Sequence, residues 1–208
     1  MSAASTTTVQ LQGCIDRLNT GDAAALDGLI AHAYERLERL AQRMLRDFPR
    51  LRDWESTGDV LHNAYPRLRS ALQAVPLTSV RDFLGLATLQ IRRELLDLAR
   101  HYFGPEGSGA RRASPGTPDN PESTPHAQEE KADTTNEPAR LLDWTEFHQQ
   151  VEALPVPERE VFSLLWYHGM TQPEAAGVLN VSEATLRRRW LKARLMLQES
   201  LQGEMPGI

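Results

Sequence analysis

The sequence predicts an all-α protein made of two small helical domains joined by a flexible linker. Through most of the chain, apolar residues recur at intervals of three and four, which is typical of amphipathic helices. No stretch shows the alternation of apolar and polar residues expected of a strand. Residues 105–140 are instead rich in proline and poor in large apolar side chains, so they separate two helical parts.

Residues 9–104 are predicted to form the first domain, after a small polar segment, residues 1–8, that we expect to be disordered. Pro66 lies inside the third predicted helix and is expected to kink or shorten it, because proline has no amide hydrogen. Hydrophobic period and capping signals predict four helices: about Val9–Thr20, Asp22 to just before Pro49, Ser56 onward, and Ser79–Gly104.

Residues 141–200 are predicted to form the second domain, which residues 105–140 connect to the first as a flexible linker and residues 201–208 follow as a tail. Four short helices in this length would share a small core. They are predicted at about Leu141–Ala153, from Val161 to Gly169, from Thr171 to Leu179, and from Ser182 to Leu197.

The last two of these helices have the pattern of a helix-turn-helix. Thr171 and Glu174 form a capping box at the start of the first helix. Asn180 can adopt the left-handed conformation of a tight turn, and Ser182 can cap the second helix. Along that second helix an apolar stripe is predicted to face the core, formed by Leu186, Trp190, Ala193 and Leu197.

The second helix of this motif is basic, although the chain has a net charge of −5 and a pI near 5.7. Only Glu183 is acidic between Ser182 and Met196. A cationic helix on an acidic protein indicates an anionic partner, and a helix-turn-helix places this helix in the DNA major groove. Its basic residues are Arg187, Arg188, Arg189, Lys192 and Arg194.

The composition excludes several other classes of protein. Cys14 is the single cysteine, so there is no internal disulfide or cysteine-based zinc site, and the six histidines lack metal-ligand spacing. The chain has no glycine-rich phosphate loop or nucleophile elbow, so we expect neither an enzyme nor a bound cofactor or metal. Without a long apolar run, no membrane span or signal peptide is predicted, and we expect a cytoplasmic protein.

Motifs in both domains carry a family resemblance. In the second domain they are Leu154-Pro155, Arg159-Glu160-Val161-Phe162, Gly169-Met170-Thr171, Glu174-Ala175-Ala176, Thr185-Leu186, Arg189-Trp190 and Ala193-Arg194. In the first they are Gly58-Asp59-Val60-Leu61-His62-Asn63-Ala64-Tyr65, Phe83-Leu84 and Ile91-Arg92-Arg93-Glu94-Leu95. With these motifs the chain resembles the extracytoplasmic-function sigma factors, the smallest class of the sigma-70 family.

The resemblance implies a protein that binds core RNA polymerase, recognises promoter DNA, helps to open it and leaves after initiation. The first domain would correspond to sigma-70 region 2 and the second to region 4, and an anti-sigma factor is a further expected partner. A subunit held by polymerase needs little DNA affinity of its own, which fits an acidic chain with one basic helix. Such a protein is expected to be a monomer when free.

The resemblance also implies positions for three contact surfaces. For the polymerase we expect Asp59, His62 and Asn63, and for a minus-ten-like element Thr88, Arg92, Arg93 and Arg100. For a minus-thirty-five-like element we expect Arg159, Thr171, Gln172, Ser182, Glu183, Ala184, Arg187, Arg188, Arg189 and Lys192. Among these, Arg187 and Arg188 are expected to reach base edges and Glu183 to accept from cytosine, whereas Arg159, Thr171, Gln172, Arg189 and Lys192 would hold phosphates.

Two features depart from the family pattern and leave an alternative open. Asn63 stands where the family usually has an acidic residue, and Pro66 follows soon after it. Both changes favour a sigma-like interaction module that titrates a partner without initiating transcription. A second alternative is a dimeric helix-turn-helix regulator, although the first domain lacks the alternating strands and helices of a receiver domain.

Overall fold

The computed structural model describes the backbone of residues 3–104 and 137–201, and side chains from residue 8 to 104 and from 144 to 201. Every regular element in these ranges is helical, which confirms the predicted all-α fold. The predicted linker, residues 105–140, and tail, residues 201–208, fall almost entirely outside the described residues. The α-helices are α1 (Ala3–Asn19), α2 (Ala25–Arg46), α3 (Thr57–Ala74), α4 (Val80–Phe103), α5 (Glu137–Ala153), α6 (Val156–Phe162), α7 (Gln172–Leu179) and α8 (Glu183–Ser200).

Two short elements interrupt this series. A single 3-10 turn, Leu51–Asp53, lies between α2 and α3, and a π-helical turn, Ser163–Tyr167, continues directly from α6. The first helix begins at Ala3, so it includes most of residues 1–8, which we predicted to be disordered. Alanine has the highest helix propensity, and the pair at positions 3 and 4 favours this extension.

The N-terminal region, α1 to α4, is organised around α4. This helix packs against each of the other three, because it is buried on more than one face. Phe83, Leu84 and Ala87 are completely buried, and Ile91 and Leu95 are nearly so. Burial of a side chain as large as Phe83 contributes about 1.5–3 kcal/mol, so α4, together with the buried face of α2, supplies much of the apolar burial that holds the region together.

The predicted start signals of α3 and α4 are confirmed by hydrogen bonds. At α3 the Ser56 hydroxyl accepts from the Asp59 amide at 3.2 Å, and the Asp59 carboxylate accepts from the Ser56 amide at 2.9 Å. At α4 the Ser79 hydroxyl accepts from the Asp82 amide at 3.3 Å. These side chains satisfy amides that have no partner inside the helix, and caps of this kind contribute about 1 kcal/mol each.

Pro66 does not shorten α3, which was one of the two effects predicted for it. The helix runs from Thr57 to Ala74 with the proline inside it. Proline deprives the His62 carbonyl of its usual amide donor. Both His62 and Pro66 lie on the exposed face of the helix, where water can hydrate a carbonyl group, and the buried face, with Ala64 and Leu68, is unaffected.

The C-terminal region, α5 to α8, has a small aromatic core. Phe147, Phe162 and Tyr167 are completely buried, and the rings of Trp166 and Trp190 pack against Phe162 with centroid distances of 5.8 and 5.4 Å. Aromatic rings supply much buried area per residue, which suits a core built from four short helices. No helix among the described residues is long and apolar enough to cross a membrane.

The two regions pack against each other. Helix α4 contacts α5, α7 and the π-helical turn, and α2 contacts the same turn. A cavity of about 510 Å³ remains between them, lined by the α3–α4 loop, α4, α6 and the π-helical turn. The side chains that meet across this boundary include buried polar and charged groups, although the buried apolar residues of the two regions form one continuous cluster.

Candidate nucleic-acid interface

The helix-turn-helix geometry predicted for residues 171–197 is present. The Thr171 amide donates to the Glu174 carboxylate at 2.9 Å, which completes the capping box of α7. Asn180 has the left-handed conformation, with φ 51° and ψ 49°, and the Val181 amide donates to the Ala176 carbonyl at 3.1 Å. Together these bonds end α7 and turn the chain within two residues, so α8 can begin at once.

Helix α8 is held by one apolar face. Leu186, Ala193 and Leu197 are completely buried, and the small side chains of Ala175 and Ala176 are buried on α7, which α8 contacts. This stripe is the predicted one. Since one face of α8 is buried along most of its length, its opposite face must point to solvent.

The residues predicted to reach base edges lie on that solvent face. Glu183, Ala184, Arg187 and Arg188 are all exposed, with the Arg187 side chain 59% exposed. Arg187 lies 3.8 Å from the Glu183 carboxylate, one turn earlier, an exposed pair that contributes only a few tenths of a kcal/mol. Arg188 and the half-buried Arg189 make no ion pair with any other described residue.

Three of the residues predicted to hold phosphates, Arg159, Thr171 and Lys192, are engaged within the chain. Lys192 Nζ donates to Glu158 at 3.0 Å, and Arg159 donates to the Glu152 carbonyl at 2.8 Å. The hydroxyls of Thr171 and Ser182 serve as helix caps, and Gln172 is half-buried. Of these groups, the exposed Lys192 can exchange its carboxylate partner for a phosphate with little rearrangement, because both are anions.

The four residues of α4 that are predicted to contact a minus-ten-like element differ in exposure. Arg93 and Arg100 are exposed, and Arg100 lies 3.4 Å from the Asp97 carboxylate. Thr88 and Arg92 are only 2% and 3% exposed, because the C-terminal region covers them. The structure therefore does not bring the four together on one accessible face.

The predicted polymerase-binding residues lie at the start of α3. His62 and Asn63 are exposed, whereas the Asp59 carboxylate caps the helix through the Ser56 amide and hydroxyl. These hydrogen bonds hold the pKa of Asp59 below its usual value. Beside them α2 and α3 enclose a groove of about 310 Å³, flanked by the exposed rings of Tyr34 and Tyr65.

Sequence reasoning missed a polar cluster buried between the two regions. His148 of α5 is 1% exposed, its Nδ1 is joined to the Tyr167 hydroxyl by a hydrogen bond of 2.7 Å, and its ring stacks on Phe48 at 5.1 Å. Its Nε2 lies 3.7 Å from the Asp47 carboxylate, and both atoms are buried without a hydrogen-bond partner among the described residues. One sequence signal was available, since His148 follows Phe147 on the buried side of α5.

Burial shifts the pKa values of the ionisable groups in this interface so that the neutral form of each group is favoured. It raises the pKa of Asp47 to about 7 and lowers that of His148 well below its usual value. It also lowers the pKa of His168 to about 3, with added repulsion from Arg36. Thr88 donates to the Leu84 carbonyl at 2.8 Å, so its oxygen accepts from Nε2 of His168 at 2.8 Å, which fixes the neutral tautomer.

These shifts predict that acid loosens the packing of the two regions. A histidine whose pKa is lowered by folding stabilises the folded state above pH 6.5, and this stability is lost as the pH falls. Asp47 acts oppositely, because its raised pKa favours the folded state at low pH and that contribution is lost as the pH rises to about 7. The two histidines together contribute more to this pH dependence than the single carboxyl group. The free energy of unfolding therefore decreases as the pH is lowered from 7 to 5.

Thermal unfolding measures the stability, and small-angle scattering measures the dimensions of the molecule, each at pH 7 and at pH 5. Replacing His148 with Phe and His168 with Leu is expected to reverse the dependence, because neither side chain can take up a proton and the opposite contribution of Asp47 remains. Replacing the exposed His32 with Gln is the matched control and should leave the dependence unchanged. Equal stability and equal dimensions at pH 7 and pH 5 in the unaltered protein would contradict the prediction.

An all-helical chain with a docked, basic helix-turn-helix defines a DNA-binding protein of the helix-turn-helix class. The chain belongs to the extracytoplasmic-function sigma factor family, whose model matches residues 9–203. Its function is therefore that of a sigma factor, promoter-specific initiation of transcription with RNA polymerase, and it is not an enzyme.

Among solved structures the chain is similar to CnrH, solved in complex with the cytosolic domain of CnrY, with 20% sequence identity and a TM-score of 0.36. That match covers 93% of this chain and 98% of the other. Comparison with curated protein sequences gave no match.

Proposed function

We propose that this sigma factor reads a minus-thirty-five-like promoter element with the exposed face of α8 and a minus-ten-like element with α4, while α3 binds core polymerase. The observation that carries the proposal is the orientation of α8, whose apolar stripe is buried and whose arginines face solvent. A helix presented in this way fits the major groove, where base edges are accessible.

Arg187 and Arg188 are the proposed base-reading residues. Both are exposed on the N-terminal half of α8, the part of a recognition helix that contacts base edges. A guanidinium group can donate two hydrogen bonds to one guanine, and Glu183 on the same turn can accept from a cytosine amino group. Arg189 and Lys192 would hold the flanking phosphates, which fixes the register of the helix.

Helix α4 is proposed to contact the minus-ten-like element. Arg93 and Arg100 are exposed and offer positive charge to the backbone of a DNA strand. Thr88 and Arg92 would join them only when the C-terminal region moves away, because they are buried in its presence. DNA binding by α4 is therefore expected to require a rearrangement of the two regions.

The groove between α2 and α3 is the proposed polymerase contact. It combines exposed rings, Tyr34 and Tyr65, with the polar His62 in its lining, and the exposed Asn63 follows His62 on α3. An apolar centre with a polar edge is the usual composition of a protein–protein interface. Asp59 contributes to this contact mainly by starting α3 in the correct place, because its carboxylate is occupied by Ser56.

The finer expectations about partners and location follow from this function. A sigma factor acts where core polymerase and promoter DNA are found, so we infer a cytoplasmic site of action. We also infer that the free protein is a monomer and that an anti-sigma factor regulates it, as the family implies. Sedimentation of the free protein, alone and with core polymerase, tests the monomer and distinguishes it from a dimeric regulator.

Replacing His62 with Glu and Asn63 with Lys is expected to reduce association with core polymerase about tenfold or more, because the changes place new charges in the groove and on the exposed surface of α3 beside it. Neither side chain is buried, so the fold should be retained. Association is measured by pull-down with purified core enzyme. Replacing Asp59 is not an equivalent test, because it would also remove the cap of α3.

Runoff transcription with purified core polymerase tests the function as a whole. The protein should direct initiation from a subset of promoters selected from genomic fragments, and it should comigrate with core polymerase. If it binds the polymerase but no promoter is transcribed, the activity is that of a partner-titrating module. If the variant with His62 and Asn63 replaced is folded but no longer binds polymerase, the contact lies at α2 and α3.

A further inference from the structure

A second pocket, of about 370 Å³, lies between the two regions and shares no lining residue with the cavity beside α4. The N-terminal region contributes Thr8 of α1 and Arg36 of α2 to its wall. Its volume is in the range of sites that bind small organic molecules. From the C-terminal region, α7 and the residues just before it contribute Met170, Pro173, Glu174, Gly177 and Val178.

Arg36 is a cation in this wall whose charge is not compensated by a bonded partner. The side chain is half-buried, and its Nε and Nη1 atoms are buried with no hydrogen-bond partner among the described residues. Burial lowers the pKa of Arg36, and repulsion from Arg39 lowers it further, although Glu174 attracts it. A charged group removed from water is unfavourable unless it is paired, so this position is suited to an anion.

Glu174, the carboxylate in the same wall, is already engaged in capping α7. One of its oxygens accepts from the amide and from the hydroxyl of Thr171, both at 2.9 Å. These hydrogen bonds hold the pKa of Glu174 below its usual value and fix the carboxylate at the start of the helix. Because this negative charge stays near Arg36, an anion with one charge is favoured there over an anion with two.

The rest of the lining is apolar and leaves room for a hydrocarbon group. Met170, Pro173 and Val178 supply the apolar surface. At Gly177 no atom lies within 4 Å of the position that a Cβ would occupy, so a larger side chain there would extend into open space. Mostly apolar walls with a single charged group to fix orientation are the usual composition of a small-molecule site.

We propose that this pocket binds a small monocarboxylic acid, whose carboxylate pairs with Arg36 and whose hydrocarbon part lies against Met170, Pro173 and Val178. Arginine and carboxylate form strong, charge-assisted hydrogen bonds. Because both regions contribute to the wall, the bound acid stabilises their contact. It therefore opposes the rearrangement that DNA binding by α4 requires and acts as an inhibitory effector. This consequence rests on the proposed function of α4, whereas the binding of the acid does not.

Octanoate is the probe, and isothermal titration calorimetry measures its binding to the free full-length protein at pH 7 and constant ionic strength. Octan-1-ol tests the need for the charge, acetate tests the need for the chain, and octyl phosphate tests a phosphate in place of the carboxylate. Octanoate is expected to bind about tenfold more tightly than octan-1-ol, the factor that one charge-assisted hydrogen bond provides. Acetate and octyl phosphate are also expected to bind more weakly than octanoate.

Arg36→Met removes the cation and retains an unbranched side chain. This variant is expected to bind octanoate about tenfold more weakly and octan-1-ol as well as the unaltered protein does. The matched control is Arg39→Met, which lies exposed on the same helix and changes the net charge equally. Equal octanoate affinity in these two variants would overturn the inference.

Gly177→Leu locates the site independently, because it fills the pocket without changing any charge. The position is exposed on α7, and leucine has a higher helix propensity than glycine, so the fold should be retained. Octanoate binding is expected to be lost in this variant and retained in Gly177→Ala, with circular dichroism as the check on folding. Unchanged binding by Gly177→Leu would show that octanoate binds elsewhere and would overturn the inference.

The comparison of ligands decides the chemistry of the site. If octan-1-ol binds the unaltered protein as tightly as octanoate, the charge of Arg36 has no role and the inference is wrong. If octyl phosphate binds more tightly than octanoate, the assignment to carboxylic acids is wrong.

Runoff transcription separates the site from the proposed function. Octanoate added before core polymerase is expected to slow initiation by the unaltered protein but not by the Arg36→Met variant. If octanoate binds as expected and both proteins initiate equally in its presence, the inhibitory role is wrong and the binding site stands. If neither protein initiates at any promoter without octanoate, the proposed function fails, and the calorimetric result is unaffected.

Discussion

Replacing Arg187 and Arg188 with alanine is expected to abolish promoter-specific transcription while leaving association with core polymerase unchanged. Both side chains lie on the solvent face of α8, remote from the buried stripe that docks the helix. Each bidentate contact to a guanine contributes about 1–3 kcal/mol of discrimination, so losing two lowers promoter occupancy roughly a hundredfold or more. Runoff transcription and a polymerase pull-down measure the two properties separately.

The matched control replaces the same two arginines with lysine. Lysine retains the positive charge but cannot form the two parallel hydrogen bonds of a guanidinium group. If Arg187 and Arg188 read bases, the lysine variant should retain non-specific DNA binding and lose promoter selectivity. If it instead transcribes as well as the unaltered protein, these residues act only as charges. Normal transcription by the alanine variant would refute the assignment of α8 as the recognition helix.

Replacing Phe162 with alanine is expected to unfold the C-terminal region and leave the N-terminal region folded. Phe162 is completely buried, and its ring contacts those of Phe147, Trp166, Tyr167 and Trp190, the last of which lies on α8. A truncation of this kind costs about 3–5 kcal/mol, which is comparable to the whole stability of a small helical domain.

The unfolding prediction is tested by circular dichroism during heating. We expect part of the helical signal to be lost at low temperature, followed by a separate transition of the N-terminal region. Replacing Leu191 with alanine is the control, because this side chain is 58% exposed on α8 and contributes little to the core. A single transition at the temperature of the unaltered protein would show that Phe162 is not the centre of this core.

Much of the fold could be predicted because its signals are local in sequence. Serine, threonine and asparagine at helix ends act on amides and carbonyls within four residues, so Ser56, Ser79, Thr171 and Ser182 marked four helix starts correctly. Whether Pro66 would shorten α3 could not be predicted from such local signals. Its effect depends on whether the lost hydrogen bond faces solvent, and only the packing of α3 decides that.

The recognition helix was equally accessible to sequence reasoning. Its apolar stripe and its arginines alternate around a single helix, so burial of one implies exposure of the other. Lys192 and Arg92 were less predictable, because their carboxylate partners, Glu158 and Glu152, are 34 and 60 residues away along the chain. Charge patterns within one helix carry no information about such partners.

By itself, the sequence determined the helices, the helix-turn-helix and the cationic face of α8, because capping bonds and helical periodicity act between neighbouring residues. Only the tertiary structure decided which charges are accessible. It buried Thr88 and Arg92 against the C-terminal region and brought Asp47 beside His148, which lie about half the chain length apart in sequence. The physical reason is that desolvation and ion pairing depend on which surfaces meet in space, and that is set by packing of the two regions.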